Sequence, residues 1–188
     1  GDRSGIDLPN ETRPSFPTKD INQYFNRKYG PHNWNQSFSL SLAIGQGDNA
    51  QTVVNMARFY TAIATDGQAA HPQVVRGSAE KDRLFTIDSA QMAGIRAALA
   101  GVVLRGTAAA SHIEGLTLAG KTGTAQNADK LHDHAWFIGF APADNPKIVV
   151  AVMIEFGGQG ARSAHIAASI IQHYLKATPK QLLNTEGF

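Results

Sequence analysis

Leu116-Thr-Leu-Ala-Gly-Lys-Thr-Gly-Thr-Ala-Gln126, then His134-Ala-Trp-Phe-Ile-Gly-Phe-Ala141, then Lys147-Ile-Val-Val-Ala-Val-Met-Ile-Glu-Phe156 are three short runs separated by polar turns, the second turn being Ala143-Asp144-Asn145-Pro146. Short runs rich in β-branched and aromatic residues and bounded by turn residues read as strands. Connections this short make an antiparallel meander the simplest arrangement. After the third run, Ile166, Ile170, Ile171 and Tyr174 recur at helical spacing within residues 161–177. A closing helix is therefore expected, packed on the sheet through that side and ending before Pro179.

Upstream the period changes to that of helices. Val53, Met56, Ala57, Tyr60, Ile63 and Ala64 recur at three- and four-residue spacing, with Asp48 as a candidate cap and Gly67 as a stop, so a helix is expected up to about residue 65. Asp88 and Gln91 form a capping-box pattern before Met92, Ile95, Leu99, Val102 and Val103, and this second helix should end near Gly106. Pro9, Pro14, Pro17 and Pro31 make residues 1–36 read as a loop-rich arm. Residues 78–82 read as a polar, solvated loop. The chain thus divides into an arm (1–36), a helical part (48–106) and a sheet with its closing helix (116–178), without an internal linker or repeat. The fold class is α+β.

Composition narrows the chemistry. The chain of 188 residues is 43% hydrophobic and 17% charged, a globular balance, and 17 basic against 15 acidic residues leave a formal charge of +2. Those charges are scattered, which argues against a nucleic-acid footprint. Without cysteine, disulfides, thiolate zinc sites and thiol catalysis are excluded. No apolar run is long enough to span a bilayer. The chain opens Gly1-Asp2, with neither an initiator Met nor a signal pattern, and is expected to be a fragment or processed chain.

Lys121-Thr122-Gly123-Thr124 lies in the first strand run and is the motif that carries chemistry. Alternation along a strand puts Thr122 and Thr124 on one face, where two hydroxyls suit a substrate carboxylate. Gly123 admits another backbone, Lys121 supplies a positive charge, and the Thr124 N–H can face a developing oxyanion. A free strand edge also accepts a peptide as an added strand.

The blocks Leu118-Ala-Gly-Lys-Thr-Gly-Thr-Ala-Gln126, His134-Ala-Trp-Phe-Ile-Gly-Phe-Ala-Pro142 and Ile148-Val-Val-Ala-Val-Met-Ile-Glu155 with Gly157-Gly158 resemble the end of class B penicillin-binding proteins. Ser4-Gly-Ile-Asp-Leu-Pro-Asn-Glu11, Ser41-Leu-Ala-Ile-Gly-Gln-Gly47 and Gly106-Thr-Ala108 resemble the stretches that precede them. Phe16-Pro-Thr18 and Trp34 resemble the elongation-type members. The resemblance implies the penicillin-binding/serine β-lactamase-like fold and a peptidoglycan D,D-transpeptidase, acylated by stem peptide or β-lactam without metal or cofactor. It implies a parent outside the cytoplasmic membrane, held by an N-terminal anchor. It gives Lys121 and Thr124 catalytic roles, the latter through its N–H as one of two oxyanion donors, and Thr122, Gly123 and Thr124 substrate contacts. It also implies a missing partner. The family's serine of Ser-x-x-Lys precedes the part matched here, no Ser-x-Asn occurs in the chain, and the isolated polypeptide is expected to be inactive, a scaffold or interaction module. A β-lactam sensor or β-lactamase piece is the alternative parent, less well matched by the Gly-Gln-Gly and His-Ala-Trp-Phe blocks.

Three competing patterns carry other chemistries. Ser78-Ala-Glu-Lys81 matches Ser-x-x-Lys, but ten serines and eight lysines yield about 0.4 such matches by chance, and Ser78 falls after the Gly-Gln-Gly block in a charged loop. Gly115-Leu-Thr-Leu-Ala-Gly-Lys121-Thr122 matches a phosphate loop, which requires N–H groups curled at a helix start, whereas Leu116, Thr117 and Leu118 favour strand. His132 and His134 flank Asp133 and would face one side of a strand as metal ligands, though no third ligand is evident.

Overall fold

The starts of the first four α-helices are set by side-chain caps. Asp20 accepts from the Gln23 N–H at the head of α1 (Ile21–Tyr29), Asn35 from Ser37 at α2 (Gln36–Ala43), Thr52 from Asn55 at α3 (Val53–Ala64) and Asp88 from Gln91 at α4 (Ser89–Arg105). Each satisfies one of the orphan donors of a first turn. The structure, a computed structural model, describes residues 2–17, 20–127 and 132–181, with side chains as far as 176. Between α3 and α4 the strands β1 (Gln68–Ala70) and β2 (Lys81–Arg83) form a two-stranded antiparallel ladder, and a short 3₁₀ turn at Ala109–Ser111 follows α4. Then β3 (Ala119–Ala125), β4 (His134–Ala141) and β5 (Ile148–Ile154) pair in sequence order as an antiparallel sheet, and α5 (Ala161–Gln181) closes the fold.

The three-stranded sheet is the middle of three layers. Alternation along β4 sends Phe137 and Ala141 to one face, where they meet Val150 of β5 and Ala164, Ala167, Ala168 and Ile171 of α5. It sends Ile138 and Phe140 to the other face, against Tyr60 and Ile63 of α3 and Met92 and Ala100 of α4. Phe137 and Phe140 are wholly buried. Burying two such rings on opposite faces of one strand contributes about 1.5–3 kcal/mol each and ties both helical layers to β4.

The α+β class, the three strands and the Asp88 cap are as the sequence predicts, but several local expectations are corrected. The arm is not all loop. Its prolines, Pro17 and Pro31, flank residues 21–29 without interrupting them, and α1 forms there, burying Phe25 among Tyr29, Trp34 and Phe38. Asp48 does not cap α3; it pairs with Lys28 and accepts from the Tyr29 hydroxyl, while Thr52, one residue from the helix, takes the cap. The polar segment after Ser78 includes β2, because an antiparallel partner on β1 satisfies its backbone.

The closing helix presents a different side from the one expected. Ile171 is buried, but Ile166 and Ile170 are 45% and 44% exposed, and Ala164, Ala167 and Ala168 take the inner face. Small side chains let the helix axis approach a sheet face already filled by Phe137 and Val150. The helix also runs past Pro179 to Gln181, since a proline near a helix end removes one backbone bond without ending the coil.

Candidate active site

β3 is an edge strand, paired on one side only by β4. The register sets Lys121 opposite Ile138, Thr122 opposite Phe137, Gly123 opposite Trp136 and Thr124 opposite Ala135. Directly opposed residues share a face, so Thr122 and Thr124 stand on the α5 side, as their spacing predicts, and Lys121 on the side of α3 and α4. The Lys121 ammonium is exposed and donates to the Thr122 carbonyl at 2.8 Å.

Two residues from distant parts of the chain reach this edge. The Gln46 carboxamide donates to the Thr124 carbonyl at 2.9 Å. That bond comes from outside the sheet, so the Thr124 carbonyl points away from β4. In an antiparallel strand the N–H and C=O of one residue point the same way, and the Thr124 N–H therefore lies on the open edge as well. Gln46 is held between Gly45 and Gly47, whose φ values of +78° and +66° are left-handed, and the next residue, Asp48, is anchored by Lys28 and Tyr29. The second arrival is Thr107, whose Oγ1 lies 2.5 Å from Thr122 Oγ1. Gly106 precedes it at the end of α4, where a Cβ would come within 2.9 Å of Val102 backbone atoms. The sequence offered only a weak signal for both: Gln46 and Thr107 sit inside the Gly-Gln-Gly and Gly-Thr-Ala blocks, without an assigned role.

The strand is seated closely. A Cβ at Gly120 would stand 2.4 Å from the Phe137 ring, and one at Gly160 would stand 2.5 Å from the Gly123 carbonyl oxygen and 2.8 Å from that of Trp136. Gly120 thus makes room for the core ring, and Gly160 lets the start of α5 rest on the backbone between Thr122 and Thr124.

The competing patterns fare differently. Gly115 to Thr122 is not a curled loop at a helix start; it leads into β3, which removes the cradle of N–H groups a phosphate needs. Ser78 lies in the exposed connection between β1 and β2, while Lys81 begins β2, so no helical turn sets the lysine against the serine. His134 accepts from the Phe156 N–H through Nδ1 at 3.1 Å and packs on the Phe156 ring, and among the described residues no group of three His, Asp or Glu side chains converges.

Residues 13–176 match the family model described as the penicillin binding protein transpeptidase domain. The chain belongs to this family. Among its transpeptidase relatives is the peptidoglycan D,D-transpeptidase MrdA of Acinetobacter baumannii, 28% identical over 96% of this chain and 30% of that protein. Another is the peptidoglycan D,D-transpeptidase PbpA of Mycolicibacterium smegmatis, 34% identical over 71% of this chain and 31% of that protein. Penicillin-binding protein PBP2 from Helicobacter pylori superposes with a TM-score of 0.80 at 27% identity, covering 95% of this chain and 34% of that one. The chain therefore spans about a third of the length of these relatives.

Proposed function

We propose that this chain forms the Lys-Thr-Gly side of a peptidoglycan D,D-transpeptidase site whose serine nucleophile is supplied from outside the 188 residues. One observation carries the reading: an edge strand presents the Thr124 N–H outward, with the Thr122 and Thr124 hydroxyls on one face and Lys121 rising from the other with its ammonium on the Thr122 carbonyl.

The chemistry follows from that arrangement. A stem peptide lies along the open edge of β3 as an added strand, its terminal carboxylate against the two threonine hydroxyls. The serine oxygen attacks the scissile carbonyl. The resulting oxyanion accepts from the Thr124 N–H and from the serine's own N–H. Lys121 holds positive charge beside the reacting groups, the proton given up by the serine hydroxyl passes through the base supplied with it to the leaving amine, and an ester on the serine remains. An acceptor amine on a second stem peptide then attacks the ester and regenerates the serine. A β-lactam enters by the same route and stops at the ester. Peptide exchange of this kind belongs on the outer side of the cytoplasmic membrane, where the parent protein is held by a segment beyond this chain. The isolated chain lacks the nucleophile and its base, so it neither turns over peptide nor forms an adduct; alone it acts as a binding scaffold.

Fluorescent penicillin, denaturing electrophoresis and intact mass spectrometry test this. The expected result is no adduct on the chain alone, an adduct on a serine of the complementary polypeptide when that is added, and its loss with Lys121→Ala. An adduct mapping to Ser78 would overturn the reading.

A further inference from the structure

Thr107 contributes a hydroxyl that the proposed chemistry does not use. It stands 2.5 Å from the Thr122 hydroxyl, it is itself exposed, and it arrives from just past the end of α4, the helix whose Met92 and Ala100 pack with Ala119 of the strand. Two hydroxyls in contact have two proton arrangements, since each carries one donor and two lone pairs. If Thr122 donates to Thr107, its only proton is spent. If Thr107 donates to Thr122, the Thr122 proton is left for a third group. An ionised carboxylate accepts and never donates, so a carboxylate against Thr122 selects the second arrangement. The bonds then run in one direction, from Thr107 to Thr122 to the anion, and each polarises the next. Thr122 is β-branched, and a fixed partner for its oxygen also holds the χ1 rotamer that aims the proton at the anion.

We infer that Thr107 is a positioning residue for the transpeptidase reaction, which orients the Thr122 hydroxyl and its proton toward the substrate carboxylate. This rests on the reading of the β3 edge given above. Thr107→Val keeps the branched shape and deletes the hydroxyl, and Thr107→Ser restores it. In the chain joined with the polypeptide that carries the serine, acylation by a penicillin bearing its free carboxylate should slow about tenfold with Thr107→Val, the scale of one hydrogen bond to a charged group. Thr107→Ser should return it to within about twofold of wild type, by the same reasoning. The methyl ester of the same penicillin should acylate wild type and Thr107→Val at equal rates. Equal slowing of acid and ester would make Thr107 merely structural and overturn the inference, as would no slowing of either. No acylation of the wild-type assembly would overturn the transpeptidase reading instead. In that event the 188-residue chain by itself still decides the positioning role by nuclear magnetic resonance. Three-bond couplings should report one Thr122 χ1 rotamer in wild type and Thr107→Ser and an average in Thr107→Val. An unchanged rotamer in Thr107→Val would refute it.

Discussion

Gly160 shows how one missing atom sets the geometry of the candidate site. Its neighbours at 2.5 and 2.8 Å are the carbonyl oxygens of Gly123 and Trp136. Both belong to paired strands, so neither can move aside as the end of a flexible side chain can. Gly160→Ala is expected to lift the start of α5 and cost about 1–3 kcal/mol, the range for overpacking, measured by denaturant unfolding. The same change should shift the Thr122 and Thr124 amide resonances. At Gly120 the obstacle is the buried Phe137 ring, 2.4 Å from the would-be Cβ, and Gly120→Ala is expected to destabilise by a similar mechanism. The two glycines differ in legibility. Gly120 lies next to the Lys-Thr-Gly motif in a recognisable block, whereas the demand on Gly160 comes from residues 37 and 24 positions away and no local pattern announces it.

At the scale of elements, the caps make a direct comparison. Asp88→Ala removes the acceptor for the Gln91 N–H at 2.8 Å and is expected to cost about 1 kcal/mol in thermal unfolding. Asp48→Ala leaves the cap of α3 on Thr52 untouched. Its effect should appear instead as increased hydrogen exchange in the α1–α2 segment and the Gln46 loop, because Lys28 and Tyr29 lose their anchor. The arm is tied down at its start as well. Asp7 accepts from the Val74 and Val75 N–H groups at 2.6 and 3.0 Å, and these bonds, Val74 first, hold its carboxyl below the usual value of 3.8. A carboxyl with a lowered folded-state pKa stabilises the fold above its unfolded value, and that contribution is lost as pH falls through the lower folded value. The arm is therefore expected to loosen from the segment after β1 only at pH below about 3.8. The check is a pH titration of the Val74 and Val75 amide resonances, which Asp7→Asn should flatten. Asp82 responds in the same direction, lowered first by the His71 hydrogen bond and then by Arg58. These carboxylates are exposed, so the expected change is local.

For the whole molecule, the central sheet has unequal edges. Among the described residues the outer edge of β3 receives Gln46, whereas β5 pairs on one side only, and α5 turns Ile166 and Ile170 outward. The free edge of a seven-residue strand, together with an exposed apolar helix face, favours association. The isolated chain is expected to show a mass that rises with concentration in light scattering; a monodisperse monomer that melts cooperatively and binds no apolar dye would contradict this. The three strands, the helix from Asp88 and the Lys-Thr-Gly motif were legible in the sequence because each is a local pattern: a hydrophobic period, a cap three residues from its donor, a tetrapeptide on one strand. The helix at residues 21–29 was not read from the sequence, since its flanking prolines mask a regular run between them. Which side of α5 turns inward was decided by the tertiary structure, because the space left above Phe137 and Val150 favours alanine over isoleucine, a choice periodicity does not contain. The arrival of Gln46 and Thr107 at β3 was decided there too. Their hydrogen bonds join residues 78 and 15 positions apart, and only the packing of α4 and the glycine loop against the sheet brings those donors to the strand.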